Sequence, residues 1–134
     1  MAVGPGDESA ANVQHLRIAA KRLIATAMQG GRTGEVAVIF MSVRTDADHD
    51  AYAMAADAMD RLAAEQPGYR GMESARGPDG LGITISFWAD EASAKAWRDH
   101  AEHKAIRDAG RDRWYTRYEV AVGEVDRSYR WAKP

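Results

Sequence analysis

The segment Leu81–Trp88 constrains the fold more than any other part of the chain, because apolar residues alternate strictly with small or polar ones. Such a period of two is typical of a β-strand with one apolar face. Gly-Pro-Asp-Gly at residues 77–80 has the composition of a tight turn, and Tyr69–Arg76 before it has a weaker strand pattern. The two segments therefore predict a β-hairpin. The apolar face of its second strand carries Leu81, Ile83, Ile85 and Phe87.

A strand and a helix are predicted before this hairpin. Glu35–Arg44 is rich in β-branched residues and nearly continuous in apolar character, which predicts a strand covered on both faces. A helix follows over His49–Gln66, with Asp46 or Asp48 as its cap, and Pro67-Gly68 ends it.

A second helix and a last strand are predicted after the hairpin. The helix begins with Asp90 as its cap and runs through Trp97 toward Ala109, with a bend near His100 and Gly110 as its end. The last strand is Tyr115–Val125, in which one face carries Tyr118, Val120 and Val122.

The order from residue 35 is strand, helix, strand, strand, helix, strand, which is the ferredoxin-like βαββαβ pattern of an α+β fold. Both helices then cover one face of a four-stranded antiparallel sheet, and the other face stays open. Because that open face is apolar, it needs a cover. A second copy of the chain, related by two-fold symmetry, is the simplest one, so we expect a homodimer.

Residues 1–34 are expected to be an appendage of the main domain at residues 35–127, and residues 128–134 a short tail. The appendage is predicted to hold a flexible start and an extra N-terminal helix from Ser9 to Ile24 or Met28. The glycine-rich segment 30–34 ends this helix, because glycine destabilises helices.

Composition excludes several classes of function. Eighteen Lys and Arg residues against 20 Asp and Glu residues give a net charge of −2, which argues against a nucleic-acid binder. No apolar run is long enough for a membrane span, and the N-terminus lacks the pattern of a signal peptide. The absence of cysteine removes disulfides and thiolate metal sites and suits the cytoplasm. A small molecule or another protein is the expected partner.

Two passages resemble the antibiotic biosynthesis monooxygenase family. One is Phe87-Trp-Ala-Asp-Glu91 followed by Ala96-Trp97 and His100-Ala-Glu-His103, and the other is Gln66-Pro-Gly-Tyr-Arg-Gly-Met-Glu-Ser74. The resemblance covers about residues 35–127 and implies a dimeric α/β barrel. It also implies a cofactor-independent monooxygenase acting on a small aromatic, quinol or polyketide-like substrate. The alternative is a non-catalytic dimeric barrel that binds a small ligand or haem.

The resemblance also bears on the cofactor. Haem-degrading relatives use an asparagine on the first strand with a tryptophan and a histidine at the second helix. Trp97 matches the tryptophan, and either His103 or Arg107 takes the position of the histidine. The only asparagine is Asn12, outside the first strand, so haem is the less favoured option. We expect no cofactor and no metal.

Candidate site residues follow from the chemistry of a cofactor-free oxygenase, which needs a base, a group that stabilises an anion, and a dry aromatic pocket. His103 is the predicted base, because imidazole accepts a proton near neutral pH, and Trp97 is the predicted pocket wall. The alternatives are a surface or capping histidine and a tryptophan that only packs in the core. The predicted substrate-binding residues are Trp88, Tyr52 and Arg70.

Overall fold

A computed structural model describes residues 31–134, so the predicted N-terminal helix lies outside the described residues. Residues 34–126 form one compact unit. The described residues outside this unit, 31–33 and 127–134, form no helix or strand. Within the described part of the chain, no helix has the length and apolar character needed to cross a membrane.

The compact unit has the predicted ferredoxin-like α+β fold, with the second helical region divided in two. In chain order, its elements are β1 (Val36–Arg44), α1 (His49–Ala64), β2 (Tyr69–Arg76), β3 (Leu81–Trp88), α2 (Glu91–Asp99), α3 (Ala101–Arg113) and β4 (Tyr115–Glu124). The strands form one antiparallel sheet in the order β2-β3-β1-β4.

The helices cover one face of the sheet, which we call the covered face. A core cluster joins Val36 of β1 and Trp88 of β3 to helix residues, of which Ala63 is fully buried. We call the opposite face the open face. The strand register places Ile39 and Met41 of β1 on it, paired with Ile85 and Ile83 of β3. Leu81, Ile83, Ile85 and Phe87 of β3 therefore point away from the helices, whereas Trp88 lies on the covered face.

The second helical region bends where the sequence predicted it, at His100, but it does not end at Gly110. Asp90 caps α2 as predicted and accepts a hydrogen bond from the Ser93 amide at 2.8 Å. Gly110 lies inside α3, where the helix approaches the ring of Tyr115. A Cβ at this position would lie 2.8 Å from that ring, so the glycine permits close packing rather than helix termination.

The start of α1 also differs in detail from the prediction. Asp48 occupies the N-cap position, but its side chain makes no capping hydrogen bond, and its backbone is left-handed with φ of 55°. This conformation is uncommon outside glycine, although Asp tolerates it better than most residues.

Candidate active site

A cavity of about 450 Å³ lies between the helices and the covered face of the sheet. It exists because the covered face carries small side chains at its centre. Gly82 on this face makes room for the guanidinium of Arg76, whereas Thr84 and Ser86 of β3 line the cavity. Bulkier residues at these positions would fill the space. The rest of the lining is mostly apolar and aromatic, which is typical of a site for a small organic ligand.

Trp97 and His103 lie together on the wall of this cavity. Their rings stack with centroids 4.3 Å apart and planes 7° apart. Trp97 is also part of the core, because it is 7% exposed and stacks on Trp88 at 6.0 Å. The break at His100 allows this arrangement, since it turns α3 back over the last turn of α2. One tryptophan therefore serves both as core and as cavity wall.

The hydrogen bonds of His103 determine which of its nitrogens can accept a proton. Its Nδ1 lies 3.0 Å from the carbonyl oxygen of Trp97. A carbonyl only accepts, so Nδ1 carries the hydrogen and Nε2 of the neutral ring is the proton acceptor. Burial lowers the pKa of His103, and the charges of Arg107 and His100 act in the same direction, against the hydrogen bond to Trp97. The lowered pKa therefore favours the neutral form of the ring at pH 7.

Of the other predicted binding residues, only Tyr52 lines the cavity. Trp88 is fully buried in the core, and its Nε1 donates to Ser86 Oγ at 3.0 Å. Arg70 is the extra residue of a β-bulge between Tyr69 and Gly71, and it pairs with Glu35 at 4.0 Å. Simple alternation would place Arg70 and Arg76 on the same strand face. The bulge interrupts the alternation of β2, so the two residues do not share a face.

Two further tyrosines line the cavity that the sequence did not single out for the site, Tyr115 and Tyr118. They are three residues apart, so plain alternation places them on opposite faces. A second bulge shifts the register between Val43 and Arg44, and Tyr115 then pairs with Arg44 while Tyr118 pairs with Ser42. Both rings consequently reach the covered face, and each contacts Phe40. The sequence shows that both residues are aromatic, but it does not show the bulge that brings both rings to the covered face.

Charged groups also reach the cavity. Arg107 lines it near His103, and its Nε is buried without a hydrogen-bond partner among residues 31–134. Asp60 lies on the α1 side, where burial and the neighbouring Asp57 raise its pKa. In the described part of the chain, no three His, Asp or Glu side chains lie close enough together to hold a metal ion.

Solved structures with the same fold include SnoaB from Streptomyces nogalater, described as a cofactor-independent oxygenase. It superposes with a TM-score of 0.62 at 15% identity, over 72% of this chain and 97% of SnoaB. Rv0793 from Mycobacterium tuberculosis gives a TM-score of 0.57 at 20% identity, over 68% of this chain and 92% of Rv0793. At these identities, the likeness shows the fold alone.

Sequence comparison adds closer relatives. The Bacillus subtilis protein YqjZ, which is uncharacterized, is 47% identical over 91 residues, or 68% of this chain and 79% of YqjZ. Jasmonate monooxygenase ABM from Pyricularia oryzae is 40% identical over 48 residues, which are 36% of this chain and 22% of that enzyme. The family model described as antibiotic biosynthesis monooxygenase matches residues 36–109, more than half of the chain. The chain belongs to the antibiotic biosynthesis monooxygenase family.

Proposed function

We propose that the protein is a cytoplasmic, cofactor-independent monooxygenase that oxidises a small, electron-rich aromatic substrate of the phenol, hydroquinone or polyketide type. One observation carries the proposal: His103, whose Nε2 is the proton acceptor of its neutral ring, lines an aromatic cavity of about 450 Å³. A base in an apolar, aromatic site is what substrate ionisation requires when no cofactor takes part.

The reaction begins when His103 removes a proton from the bound substrate. The resulting anion is electron-rich enough to pass an electron to dioxygen directly. For a CH₂ group activated by a phenolic ring, the balance closes without an added reductant. The carbon loses two hydrogens and gains one oxygen atom as C=O, and the second oxygen atom leaves with those hydrogens as water. The substrate is the reductant, and dioxygen is the oxidant.

The lowered pKa of His103 fits this role, because a neutral imidazole is ready to accept a proton at pH 7. Arg107 next to it holds a positive charge that favours an anion in the cavity after the proton has moved. Trp97 holds the imidazole plane by stacking and by its carbonyl group. The three residues thus supply a base, a charge and a fixed orientation.

The relatives support the same class of reaction. SnoaB is described as a cofactor-independent oxygenase, and the Pyricularia oryzae relative is a jasmonate monooxygenase. Since the first is similar in fold and the second over only a short segment, they support the class of reaction and leave the substrate to experiment.

Oxygen uptake by the purified chain, in the presence of a metal chelator, tests the proposal. A panel of hydroquinones and polyketide-like phenols is added, and we expect at least one to be oxidised with one dioxygen consumed per product. If the wild type binds these compounds but consumes no oxygen, the protein is instead a small-ligand-binding barrel. The absence of an asparagine from β1 is the observation that favours this second function.

We also propose that the protein is a homodimer joined through the open faces of two sheets. Leu81 and Ile83 on this face are 42% and 43% exposed, and their neighbours across the strands are Val43 and Met41. A contiguous apolar sheet face of this kind is costly to leave in water. Light scattering is expected to give about twice the chain mass of 14.7 kDa.

A further inference from the structure

We propose that the Tyr52 end of the cavity is an anion subsite, in which the Tyr52 hydroxyl donates a hydrogen bond to the phenolate oxygen of the substrate. The inference rests on the proposed function for the nature of this anion. The existence of the subsite is inferred separately, from the contacts of the residues that form it: Tyr52, Tyr115, Arg44 and Arg76.

Arg44 brings a buried positive charge to this end of the cavity. It is only 8% exposed. Its guanidinium donates to the carbonyl oxygens of Trp114 at 3.0 Å and Ala47 at 3.1 Å, and to His49 Nδ1 at 3.0 Å. Within residues 31–134, no carboxylate pairs with it. These partners satisfy its hydrogen bonds but leave its charge uncompensated, and a buried uncompensated cation attracts an anion.

Tyr52 lies between this charge and the cavity. The Cζ of Arg44 is 4.0 Å from the centre of the Tyr52 ring, a cation–π contact, and Tyr52 lines the cavity. Arg76 lies 5.6 Å from the same ring centre. The charges of Arg44 and Arg76 therefore both act in favour of a negatively charged ligand oxygen near the Tyr52 side chain.

The hydrogen bonds of Tyr52 determine whether its hydroxyl acts as a donor or as an acceptor toward a ligand. Arg76 Nη2 donates to the Tyr52 oxygen at 3.1 Å, and the Tyr115 hydroxyl donates to the same oxygen at 3.5 Å. Because the guanidinium can only donate, the Tyr52 oxygen is the acceptor in that bond. The Tyr52 O–H finds no acceptor among the described residues, so its proton is available to a ligand.

Arg76 itself is held in place without a carboxylate in the described part of the chain. Its Nη2 donates to Ser42 Oγ at 2.8 Å, and its Nη1 to the Ser42 carbonyl at 3.2 Å. Three other basic side chains around the cavity have acidic partners instead: Lys95 with Glu91, Arg98 with Asp99, and Arg111 with Asp108. Positive charge without a carboxylate partner among the described residues is therefore found near Tyr52 and, at the His103 side of the cavity, at Arg107.

Binding of 4-nitrophenol to the full chain tests the subsite, because its absorbance distinguishes the phenolate from the neutral phenol. We expect the bound dye to ionise at a lower pH than the free dye. Tyr52→Phe keeps the ring but removes the hydroxyl, and it should weaken phenolate binding about 10- to 100-fold, as expected for a hydrogen bond to a charged group.

Tyr118→Phe is the matched control, since Tyr118 also lines the cavity but interacts with Arg111, which lies near Asp108. It should change phenolate affinity by less than about twofold, the scale of a surface contact. A second ligand, 4-nitroanisole, cannot ionise, and Tyr52→Phe should leave its binding unchanged. Arg76→Met, at an exposed position, should weaken only the phenolate.

The outcomes separate this inference from the proposed function. A phenolate-selective site that needs Tyr52, in a protein that consumes no oxygen with any substrate, supports the subsite and overturns the monooxygenase proposal. Equal phenolate affinity in the wild type and Tyr52→Phe overturns the subsite, even if oxygen uptake by the wild type is present. A bound dye that remains the neutral phenol overturns it as well.

Discussion

The two faces of the sheet differ in a way that reverses the simplest expectation for an alternating strand. Leu81, Ile83, Ile85 and Phe87 of β3 lie on the open face, whereas its covered face carries Gly82, Thr84, Ser86 and, at the end of the strand, Trp88. In an ordinary two-layer domain, the large apolar side chains would fill the space under the helices. Here, Thr84 and Ser86 of β3 leave space for a cavity under the helices, and four large apolar residues of the same strand lie on the other face. This difference is why we propose that one face carries out the chemistry and the other mediates assembly.

A charge on the open face should have the largest effect. Ile83→Lys places an ammonium group in the proposed dimer interface, where it would be buried without a partner, and we expect the dimer to dissociate. Light scattering should show the mass fall from about twice 14.7 kDa to the chain mass. Thr84→Val, one residue away on the covered face, is the control and should stay dimeric. An unchanged mass for Ile83→Lys would contradict the assembly role of this face.

Removing the proposed base on the covered face comes next. His103→Gln should lower the rate of oxygen uptake about 10²- to 10⁴-fold, the usual contribution of a positioned base, and leave the dimer intact. His100→Asn is the matched control, because His100 caps α3 by accepting from the Glu102 amide, and asparagine can replace that acceptor. Equal rates in His103→Gln and in the wild type would remove His103 from the mechanism.

Trp97 joins the core to the cavity, so its truncation should affect stability and binding together. Trp97→Ala is expected to lower the free energy of unfolding by about 3–5 kcal/mol, as for other buried aromatic residues. It should also weaken ligand binding, because His103 loses the ring on which it stacks. Chemical denaturation measures the loss of stability, and ligand titration measures the loss of affinity. Both losses should be smaller in Trp97→Phe than in Trp97→Ala. Loss of stability with full ligand affinity would limit Trp97 to the core.

The smallest effect expected is on pH dependence. The pKa of His103 is lowered in the folded state from its ordinary value of 6.5. At a pH between the folded and ordinary values, the unfolded chain binds a proton that the folded chain does not, so stability rises with pH there. The free energy of unfolding should therefore fall as pH drops below about 6.5. Denaturation of His103→Gln should show a shallower pH slope, and an identical slope would contradict the assignment.

Local signals in the sequence were sufficient for much of the fold. The bounds of β2 and β3, the Asp90 cap and the bend at His100 were all predicted correctly, because alternation, turn composition and capping act over a few residues. Gly110 was misread, because its role depends on the ring of Tyr115, and the sequence alone does not place that ring against α3.

The site was less predictable, because two β-bulges decide which side chains face the cavity. The bulge at Arg70 removes that residue from the pattern of β2, and the one opposite Arg44 brings Tyr115 beside Tyr118. A bulge depends on strand pairing across the sheet, which a local pattern does not contain. Tyr52, Trp97 and His103 were identified as candidates, and the structure places all three on one cavity.

The most direct test of the monooxygenase proposal is the fate of oxygen-18 gas supplied to the chelator-treated protein with a substrate that supports oxygen uptake. We expect mass spectrometry to find one oxygen-18 atom in each product molecule and the second in water. A product that carries no label, or label that is also incorporated at the same rate by His103→Gln, would contradict the claim that the covered face catalyses oxygen transfer through His103.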